Sequence, residues 1–249
     1  MISFYRVEMK EKGYITVTAE QIKKRDKRIK IIYRYLIIVV LIFLFLLGVL
    51  TLVYQGGDFV ITLDPQFSLK SGLRMYDNEE LKHSKIKLYA NGMEFMDNIS
   101  GNWIPKDINK KGGGSHNGEN YIAYNFFLEN TGERIIDYWY QIEIVDVIKR
   151  VDEALRIKII RNEEEIVYAK LNNQTKKAEK ETTSFYSDKY AVLKQREKMK
   201  PKEMDKYTII MWIEGDDPDC LDDLIGGELK LKLRITESHI DEKEKIKKK

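Results

Sequence analysis

The amino-acid sequence predicts a mainly β protein, in which a single N-terminal transmembrane helix precedes an antiparallel β-sandwich. Two observations carry this prediction. The segment Tyr35–Tyr54 contains twenty residues with no charge, proline, Asn or Gln. Further along the chain, Glu228–Thr236 alternates apolar and basic residues with the period of two that is typical of a half-buried strand.

The apolar segment is long enough to cross a bilayer, because twenty residues at about 1.5 Å each span roughly 30 Å. A buried helix of a soluble core would show a polar stripe, and this segment has none. A cleaved signal peptide has a shorter apolar region, of about 7–15 residues, that ends at a small-residue site. Here 34 residues precede the segment and TLVYQGGD offers no such site, which favours an uncleaved anchor.

The flanking charges predict the orientation of the helix. The fifteen residues before Tyr35 contain seven Lys or Arg, and the fifteen after Tyr54 contain none. Under the positive-inside rule the N-terminus is cytoplasmic and the protein is a single-pass type II membrane protein. The predicted parts are a basic cytoplasmic segment (1–34), the transmembrane helix (35–54), an extracytoplasmic β-sandwich domain (55–236) and a charged C-terminal tail (237–249).

Charge and cysteine content restrict the partners and the setting. Residues 1–34 carry a net charge of +6, which leaves −3 for the rest of a chain whose total is +3. The basic segment suits the anionic inner leaflet of the lipid bilayer, and the mildly acidic outer domain argues against nucleic acid as a partner. The single cysteine, Cys220, excludes an intrachain disulfide. A large exported domain without disulfides is typical of Gram-positive bacteria.

Seven to nine strands, mostly antiparallel, and one or two short helices are predicted beyond the membrane, which together indicate a sandwich of the Ig-like or jelly-roll type. The strand candidates are rich in β-branched and aromatic residues. They are 59–63, 86–90, 121–130, 135–147, 156–160, 166–170, 207–214 and 228–236. The helical candidates are 147–154 and 221–225.

Other segments are predicted to be less regular. A short strand over Tyr14–Val17 precedes a helix capped at Thr18. Three polar segments, 109–120, 172–184 and 194–206, are expected to be long loops, and the glycine-rich first of these is expected to be mobile. The tail beyond residue 236 has no apolar face and is expected to be frayed or disordered.

No catalytic constellation is recognisable, and the sequence predicts a protein that is not an enzyme. The glycine-rich segment fits neither a phosphate-binding loop nor a nucleophile elbow, although Ser115 is followed by His116. The three histidines, His83, His116 and His239, are scattered without the spacing of zinc ligands.

The segment Glu214–Gly227, EGDDPDCLDDLIGG, has two interpretations. Its carboxylates could bind Ca²⁺, although their spacing is not that of an EF-hand; no other cofactor is indicated. The candidate ligands are Asp216, Asp217, Asp219, Asp222 and Asp223. Alternatively the segment is a structural connection, in which Pro218 starts a helical turn, the aspartates lie near its N-terminus and Gly226–Gly227 end it. Cys220 among carboxylates is expected to be packed rather than reactive.

Three stretches are similar to sequences of bacterial surface sandwiches. They are YNFFLENTGERIIDYWYQI, MKPKEMDKYTIIMWIEG and GGELKLKLRIT. Together they resemble the camelysin/TasA-type surface and matrix-fibre proteins, and the acidic segment resembles that of membrane-anchored surface proteins of Firmicutes. The chain departs from the first group in its 34-residue cytoplasmic segment and its uncleaved anchor. The resemblance implies a β-sandwich at the cell surface and no particular activity.

Two functional hypotheses follow. The first is a non-enzymatic, membrane-anchored extracytoplasmic domain that binds or scaffolds another cell-envelope protein or a cell-wall component. The second is a transmembrane sensor, whose outer domain reads a ligand while the short cytoplasmic segment contacts a partner.

Overall fold

The structure is a computed structural model that describes residues 4–8, 14–54, 59–93 and 95–237, with side chains placed in 21–49, 59–93 and 95–237. The chain divides into two compact units, Met1–Gly56 and Gly57–Lys249. Of the predicted C-terminal tail only Glu237 lies among the described residues, where its carboxylate pairs with Lys70 at 2.8 Å.

The first unit consists of a β-hairpin followed by one long helix. Strands β1 (Phe4–Glu8) and β2 (Tyr14–Thr18) pair antiparallel, and helix α1 runs from Ala19 to Tyr54. Its stretch Gln21–Val49 is long and apolar enough to cross a membrane, judged by length and composition alone, and it is not buried. The sequence predicts β2 and the start of α1. It does not predict β1, whose five residues form a strand through pairing with β2.

The second unit contains twelve strands and a short α-helix, α2 (Pro65–Ser71), among the described residues. In chain order the strands are β3 (Phe59–Leu63), β4 (Leu73–Tyr76), β5 (Lys87–Tyr89), β6 (Gly114–Ser115), β7 (Ile122–Asn130), β8 (Ile136–Val147), β9 (Leu155–Arg161), β10 (Glu164–Ala169), β11 (Thr183–Ser184), β12 (Tyr190–Met199), β13 (Met204–Ile213) and β14 (Leu229–Thr236).

These strands form two sheets. The larger has the order β11-β10-β9-β13-β7-β4, with β6 also paired to β7, and the smaller has the order β12-β8-β14-β3-β5. Most pairs are antiparallel, as the sequence predicts. Two are parallel: β3 lies beside β14 with Phe59 opposite Leu231, and β10 lies beside β11. The chain is therefore mainly β, with two sheets and an N-terminal apolar helix.

One hydrophobic core lies between the two sheets. The predicted alternation of β14 is confirmed, since Leu231, Leu233 and Ile235 are buried and Leu229 is partly buried against the same cluster. The larger sheet faces this row, and the ring of Tyr207 on β13 lies 5.4 Å from that of Tyr140 on β8. Side chains from both sheets thus exclude water from one shared interior, which is the main source of stability.

The larger sheet is covered on its outer face as well. Ile99, Ile104 and Ile108 pack there against Ala123, Ile210 and Trp212. Strands β7 and β13 are consequently buried on both faces, and this explains why their sequences read as continuous apolar runs instead of alternating. The covering segment includes 3-10 turns at Gly101–Trp103 and Ile108–Lys110.

The glycine-rich segment 109–120, predicted to be a mobile loop, makes several contacts with strand β7. Asn125 is fully buried and its Nδ2 donates to the carbonyl oxygens of Ile108, Lys111 and Gly112 at 2.8, 3.1 and 3.1 Å. The two residues of β6 then pair with β7. A buried amide with three acceptors fixes the path of a segment whose own composition indicates mobility.

The prediction of a long loop at 194–206 is wrong. This segment contains most of β12 and the start of β13, which turn tightly between Met199 and Met204. The charged side chains of β12 misled the prediction, because an edge strand tolerates charge on its exposed face. The helical candidates 147–154 and 221–225 shrink to 3-10 turns at Val151–Glu153 and Asp222–Leu224. The sequence prediction also omits α2, β4, β6 and β11.

Candidate functional site

The long connections of the second unit gather at one end of its two sheets. The strand registers show this, since Phe59 at the start of β3 and Val147 at the end of β8 both lie at the start of β14. In the larger sheet Ile213 at the end of β13 is opposite Leu155 at the start of β9. We call this the loop-rich end, formed by residues 90–93, 95–104, 148–154, 170–189 and 214–228.

Hydrogen bonds join these loops into one surface. Asn98 Nδ2 donates to Cys220 Sγ at 3.4 Å, and the Ile148 amide donates to the Glu228 carbonyl at 2.8 Å. The loop 170–189 is joined through the Asn173 amide, which donates to Asp219 Oδ2 at 2.7 Å. The acidic segment 214–228 therefore lies in the centre and touches each of the other loops.

Three carboxylates converge within this surface. Glu179, Asp217 and Asp219 each have a carboxylate oxygen within 4.8 Å of the others. The turn after β13 positions the two aspartates, because the Asp219 amide donates to Asp217 Oδ1 at 2.8 Å. This local hydrogen bond is the kind that favours Asp in turns. Asp217 and Asp219 are both buried.

A buried arginine supplies the positive charge for this cluster. Arg156 NH2 lies 2.6 Å from Asp217 Oδ2, and the two side chains are only 6% and 1% exposed. The contact is an ion pair within a desolvated site, where removing one partner would leave the other charge uncompensated. Glu179 has a buried Oε1 without a hydrogen-bond partner, but its side chain is only partly buried and can turn toward water.

The cluster has the oxygen chemistry that a hard cation such as Ca²⁺ prefers, but its ligand set is small. Calcium takes about six to eight oxygen ligands, and three carboxylates converge here. One of them, Asp217, already binds Arg156. Three of the four carboxylate oxygens of the two buried aspartates already have a protein partner, namely the Asp219 amide, Arg156 and the Asn173 amide.

The structure brings together two of the five aspartates that the sequence singles out. Asp216, Asp222 and Asp223 are exposed, and Asp223 pairs instead with Arg150 at 2.7 Å. Residues 222–224 form a 3-10 turn whose N-cap is Leu221. The prediction that Pro218 starts this turn is wrong, because Pro218 and Asp219 belong to an earlier turn of the chain. Gly226, with φ of 72°, occupies the left-handed conformation expected where such a turn ends.

Sequence reasoning missed Glu179 and Arg156. Glu179 lies within a lysine-rich loop, and Arg156 lies in a strand where it reads as an exposed charge. The available signal is that Arg156 lies in a predicted strand, since an arginine that is buried there requires a carboxylate partner.

Cys220 lies beside this cluster and is partly buried. Burial raises the pKa of its thiol, and the Asp217 and Glu214 carboxylates raise the pKa further. The Asn98 hydrogen bond opposes this shift. The direction agrees with the prediction from sequence, although burial contributes more than the carboxylates. The thiol therefore stays protonated at neutral pH and is a poor nucleophile.

Ser115 and His116 do not face each other as a nucleophile and its base. Ser115 Oγ accepts a hydrogen bond from the Asn91 amide at 2.9 Å, while the His116 ring bonds to the Gly112 carbonyl at 2.8 Å. Both side chains thus hold the glycine-rich segment in place. His83 is exposed, and His239 lies outside the described residues.

A second polar cluster lies within the core, at the end opposite the loop-rich end. Asp205 is fully buried. It accepts hydrogen bonds from Tyr138 Oη at 2.7 Å and Asn162 Nδ2 at 3.0 Å and pairs with Arg196 Nε at 3.0 Å. The hydroxyls of Tyr138 and Tyr207 are 2.8 Å apart. Burial raises the pKa of both tyrosines, so the hydroxyls are neutral and act as structural links between the two sheets.

Comparisons with known proteins do not place the chain in a family. No family model matches it, and no curated protein matches it. Two crystal structures of β-glucosidase from Kluyveromyces marxianus show a distant structural likeness, one in complex with glucose and one labelled with selenomethionine. Their identities are 11% and 12%, both TM-scores are 0.24, and each alignment covers 71% of this chain. The chain spans only 16% and 17% of the glycosidase chains, and a likeness this weak supports no statement about function.

Proposed function

We propose that this protein is a non-enzymatic, membrane-anchored extracytoplasmic domain that binds or scaffolds another component of a bacterial cell surface. The observation that carries the proposal is an apolar helix of membrane-spanning length followed by a separate β-rich unit. We assign the two sheets to the Ig-like or jelly-roll type. The setting is the surface of a Gram-positive bacterium, which agrees with the lack of disulfides and with the resemblance to surface proteins of Firmicutes.

The orientation follows from the charge difference across the helix. Seven basic residues precede Tyr35 within fifteen positions and none follows Tyr54 within fifteen. Because basic segments stay on the cytoplasmic side, residues 1–34 are cytoplasmic and the β-rich unit is outside, next to the lipid bilayer.

Protease added to intact protoplasts tests this topology. We expect the β-rich unit to be digested and an N-terminal tag to be protected until the membrane is permeabilised. A cytoplasmic protein expressed in the same cells serves as the control for intact membranes. Protection of a C-terminal tag under these conditions would show that the orientation is wrong.

The partner we propose is another cell-envelope protein or a cell-wall component. Support comes from the loop-rich end, where several connections form one continuous surface of the kind on which binding residues are commonly placed. The acidic character of the outer part disfavours nucleic acid. Ser115 and His116 make separate hydrogen bonds instead of a nucleophile–base pair, which supports binding over catalysis at that place.

A transmembrane sensor is the second candidate, and the hairpin β1–β2 is the observation that favours it. A folded element ahead of α1 gives the cytoplasmic segment a surface that a partner could recognise. A pull-down with residues 1–34 discriminates the two hypotheses. Specific capture of a cytoplasmic protein, lost when the hairpin is deleted, would support the sensor.

A further inference from the structure

The loop-rich end carries an unusual set of exposed apolar side chains. Trp103, Phe95 and Ile225 are 75%, 73% and 68% exposed. Leu221, Ile148 and Leu171 are also exposed on the same loops. Where exposed apolar side chains form a contiguous patch, the patch commonly marks a contact with a partner or a membrane.

Hydrogen bonds connect the loops that carry these side chains. Phe95 lies three residues before Asn98, which bonds to the residue next to Leu221. Ile148 precedes Lys149, whose Nζ donates to the Ile225 carbonyl at 2.6 Å. Trp103 lies on the 3-10 turn whose first residue, Gly101, donates its amide to Glu214 Oε2 at 3.1 Å. All three connections converge on the acidic segment.

Exposed apolar side chains also occur at the opposite end of the sheets, where the described residues include Leu69, Ile86, Ile135 and Met204. Leu69 lies on α2 and Ile135 directly precedes β8, so these two residues provide control positions away from the loop-rich end.

The same end is where the chain enters the β-rich unit. Strand β3 begins at Phe59, whose register places it opposite Leu231 near the start of β14. Helix α1 ends at Tyr54, and at about 3.5 Å per residue the five steps from Tyr54 to Phe59 cover less than about 20 Å. The loop-rich end is therefore the end of the β-rich unit that lies nearest to α1 along the chain.

We propose that the loop-rich end docks onto the outer lipid surface, with Trp103, Phe95, Leu221 and Ile225 inserted at the headgroup level. This inference rests on the proposed membrane anchor. Tryptophan is favoured at that depth because its ring is apolar and its N–H is polar. Exposed Asp216 and Asp222 lie on the same segment, so docking is expected to be stronger on zwitterionic than on anionic lipid.

Tryptophan fluorescence of the full chain in vesicles tests the proposal. The chain has three tryptophans, at positions 103, 139 and 212, and none in α1, so quenching by acyl-chain-brominated phosphatidylcholine reports on the β-rich unit alone. Trp212 is buried in the protein. We expect the fluorescence to be quenched in the wild-type chain and the quenching to be lost in Trp103→Phe. We also expect weaker quenching when half of the brominated phosphatidylcholine is replaced by equally brominated phosphatidylglycerol, because the anionic headgroup weakens docking.

A matched pair of double variants isolates the loop surface. Leu221→Ser/Ile225→Ser is expected to abolish the quenching of Trp103, whereas Leu69→Ser/Ile135→Ser, at the opposite end, is expected to leave it unchanged. Wild-type protein without quenching, or equal quenching in both double variants, would overturn the proposal.

Carbonate extraction of the same vesicles separates docking from anchoring. A chain that resists extraction but shows no quenching is anchored without docking. A chain that is extracted and yet is quenched by added vesicles docks without an anchor, in which case the proposed anchor fails and the docking surface stands. An extracted chain without quenching refutes both.

Discussion

At the scale of single residues, two polar clusters lie in different parts of the β-rich unit. The Asp205 cluster is enclosed in the core and connects the two sheets through Tyr138 and Tyr207. The Arg156–Asp217 pair lies under the loops and fixes the acidic segment. Asp205 has donors from two strands and a turn, whereas Asp217 has one strand residue, Arg156, and the amide of Asp219. In each cluster the donors offset the cost of burying a carboxylate.

The raised pKa values of the buried tyrosines predict that the folded state loses stability at alkaline pH. Burial, followed by the neighbouring Tyr207 and Asp205, raises the pKa of Tyr138 well above its ordinary value, and burial raises that of Tyr168 to about 12. Unfolded tyrosine titrates near about 10. Above this pH the unfolded chain releases protons that the folded chain retains. The free energy of unfolding is therefore unaffected by this below about pH 10 and falls as pH rises further. The decrease is up to about 1.4 kcal/mol per pH unit for each tyrosine.

Urea unfolding between about pH 8 and 11 measures this slope, with Tyr138→Phe as the matched variant. The variant is expected to be less stable at neutral pH by about 1–3 kcal/mol, because buried Asp205 loses a donor. Its stability should nevertheless fall less steeply in alkali. An identical slope in the two proteins would mean that Tyr138 does not retain its proton.

Calcium is expected to change the melting temperature very little. The reason is that Arg156 already neutralises Asp217, and Glu179 can turn its carboxylate toward water. If the cluster were a calcium site, ion at about 100 times its dissociation constant would add about 2.7 kcal/mol and raise the melting temperature by a few degrees. Thermal melts in chelator and in millimolar calcium distinguish these outcomes.

Two variants make the calcium experiment specific. Glu179→Gln removes one carboxylate without breaking the Arg156 pair, and Asp217→Asn/Asp219→Asn removes the buried pair of aspartates. An upward shift of the melting temperature in the parent that is absent from both variants would contradict the prediction and identify a calcium site.

At the scale of the elements, periodicity is informative where one face of a strand is exposed. Strand β14 is predicted residue by residue because its basic residues face outward. Strands β7 and β13 are recognised as strands, but their burial on both faces is decided by the segment 99–112. Strand β12 is missed, because its charges are compatible with a loop and its pairing with β8 is visible only in three dimensions.

Because β14 lies in the core, we expect Leu231→Asp to lower the free energy of unfolding strongly. Leu231 is buried between Ile144 and Phe59 in the register of the smaller sheet, where an unpaired carboxylate finds no donor. We expect a loss of about 3–5 kcal/mol in the free energy of unfolding. Lys232→Ser, on the other face of the same strand, should change it by less than about 0.5 kcal/mol. Equal effects in chemical denaturation would mean that the strand is wrongly placed.

At the scale of the whole molecule, the chain consists of two units that differ in how their apolar residues are buried. The first has an apolar helix with no buried residues in its described stretch, and the second has a water-excluding core of its own. A unit with its own core is expected to fold without the rest of the chain.

A fragment of residues 57–237 is therefore predicted to be soluble, to unfold cooperatively and to be rich in β-structure by circular dichroism without added metal. The same fragment carrying Leu231→Asp provides the comparison, and it should unfold at lower denaturant concentration. A parent fragment that aggregates or lacks a cooperative transition would show that its folding depends on the membrane unit.

The sequence by itself determined the apolar helix, the strand-rich second unit, the burial of β14 and the direction of the Cys220 pKa shift. These features depend on length, composition and short-range periodicity, which are properties of neighbouring residues. Only the tertiary structure decided that Glu179 meets Asp217 across 38 positions of sequence, that Asn125 anchors the glycine-rich segment, and that the long loops share one end. Those features depend on sheet order and register, because strands distant in sequence become neighbours only when a common core selects one pairing among many.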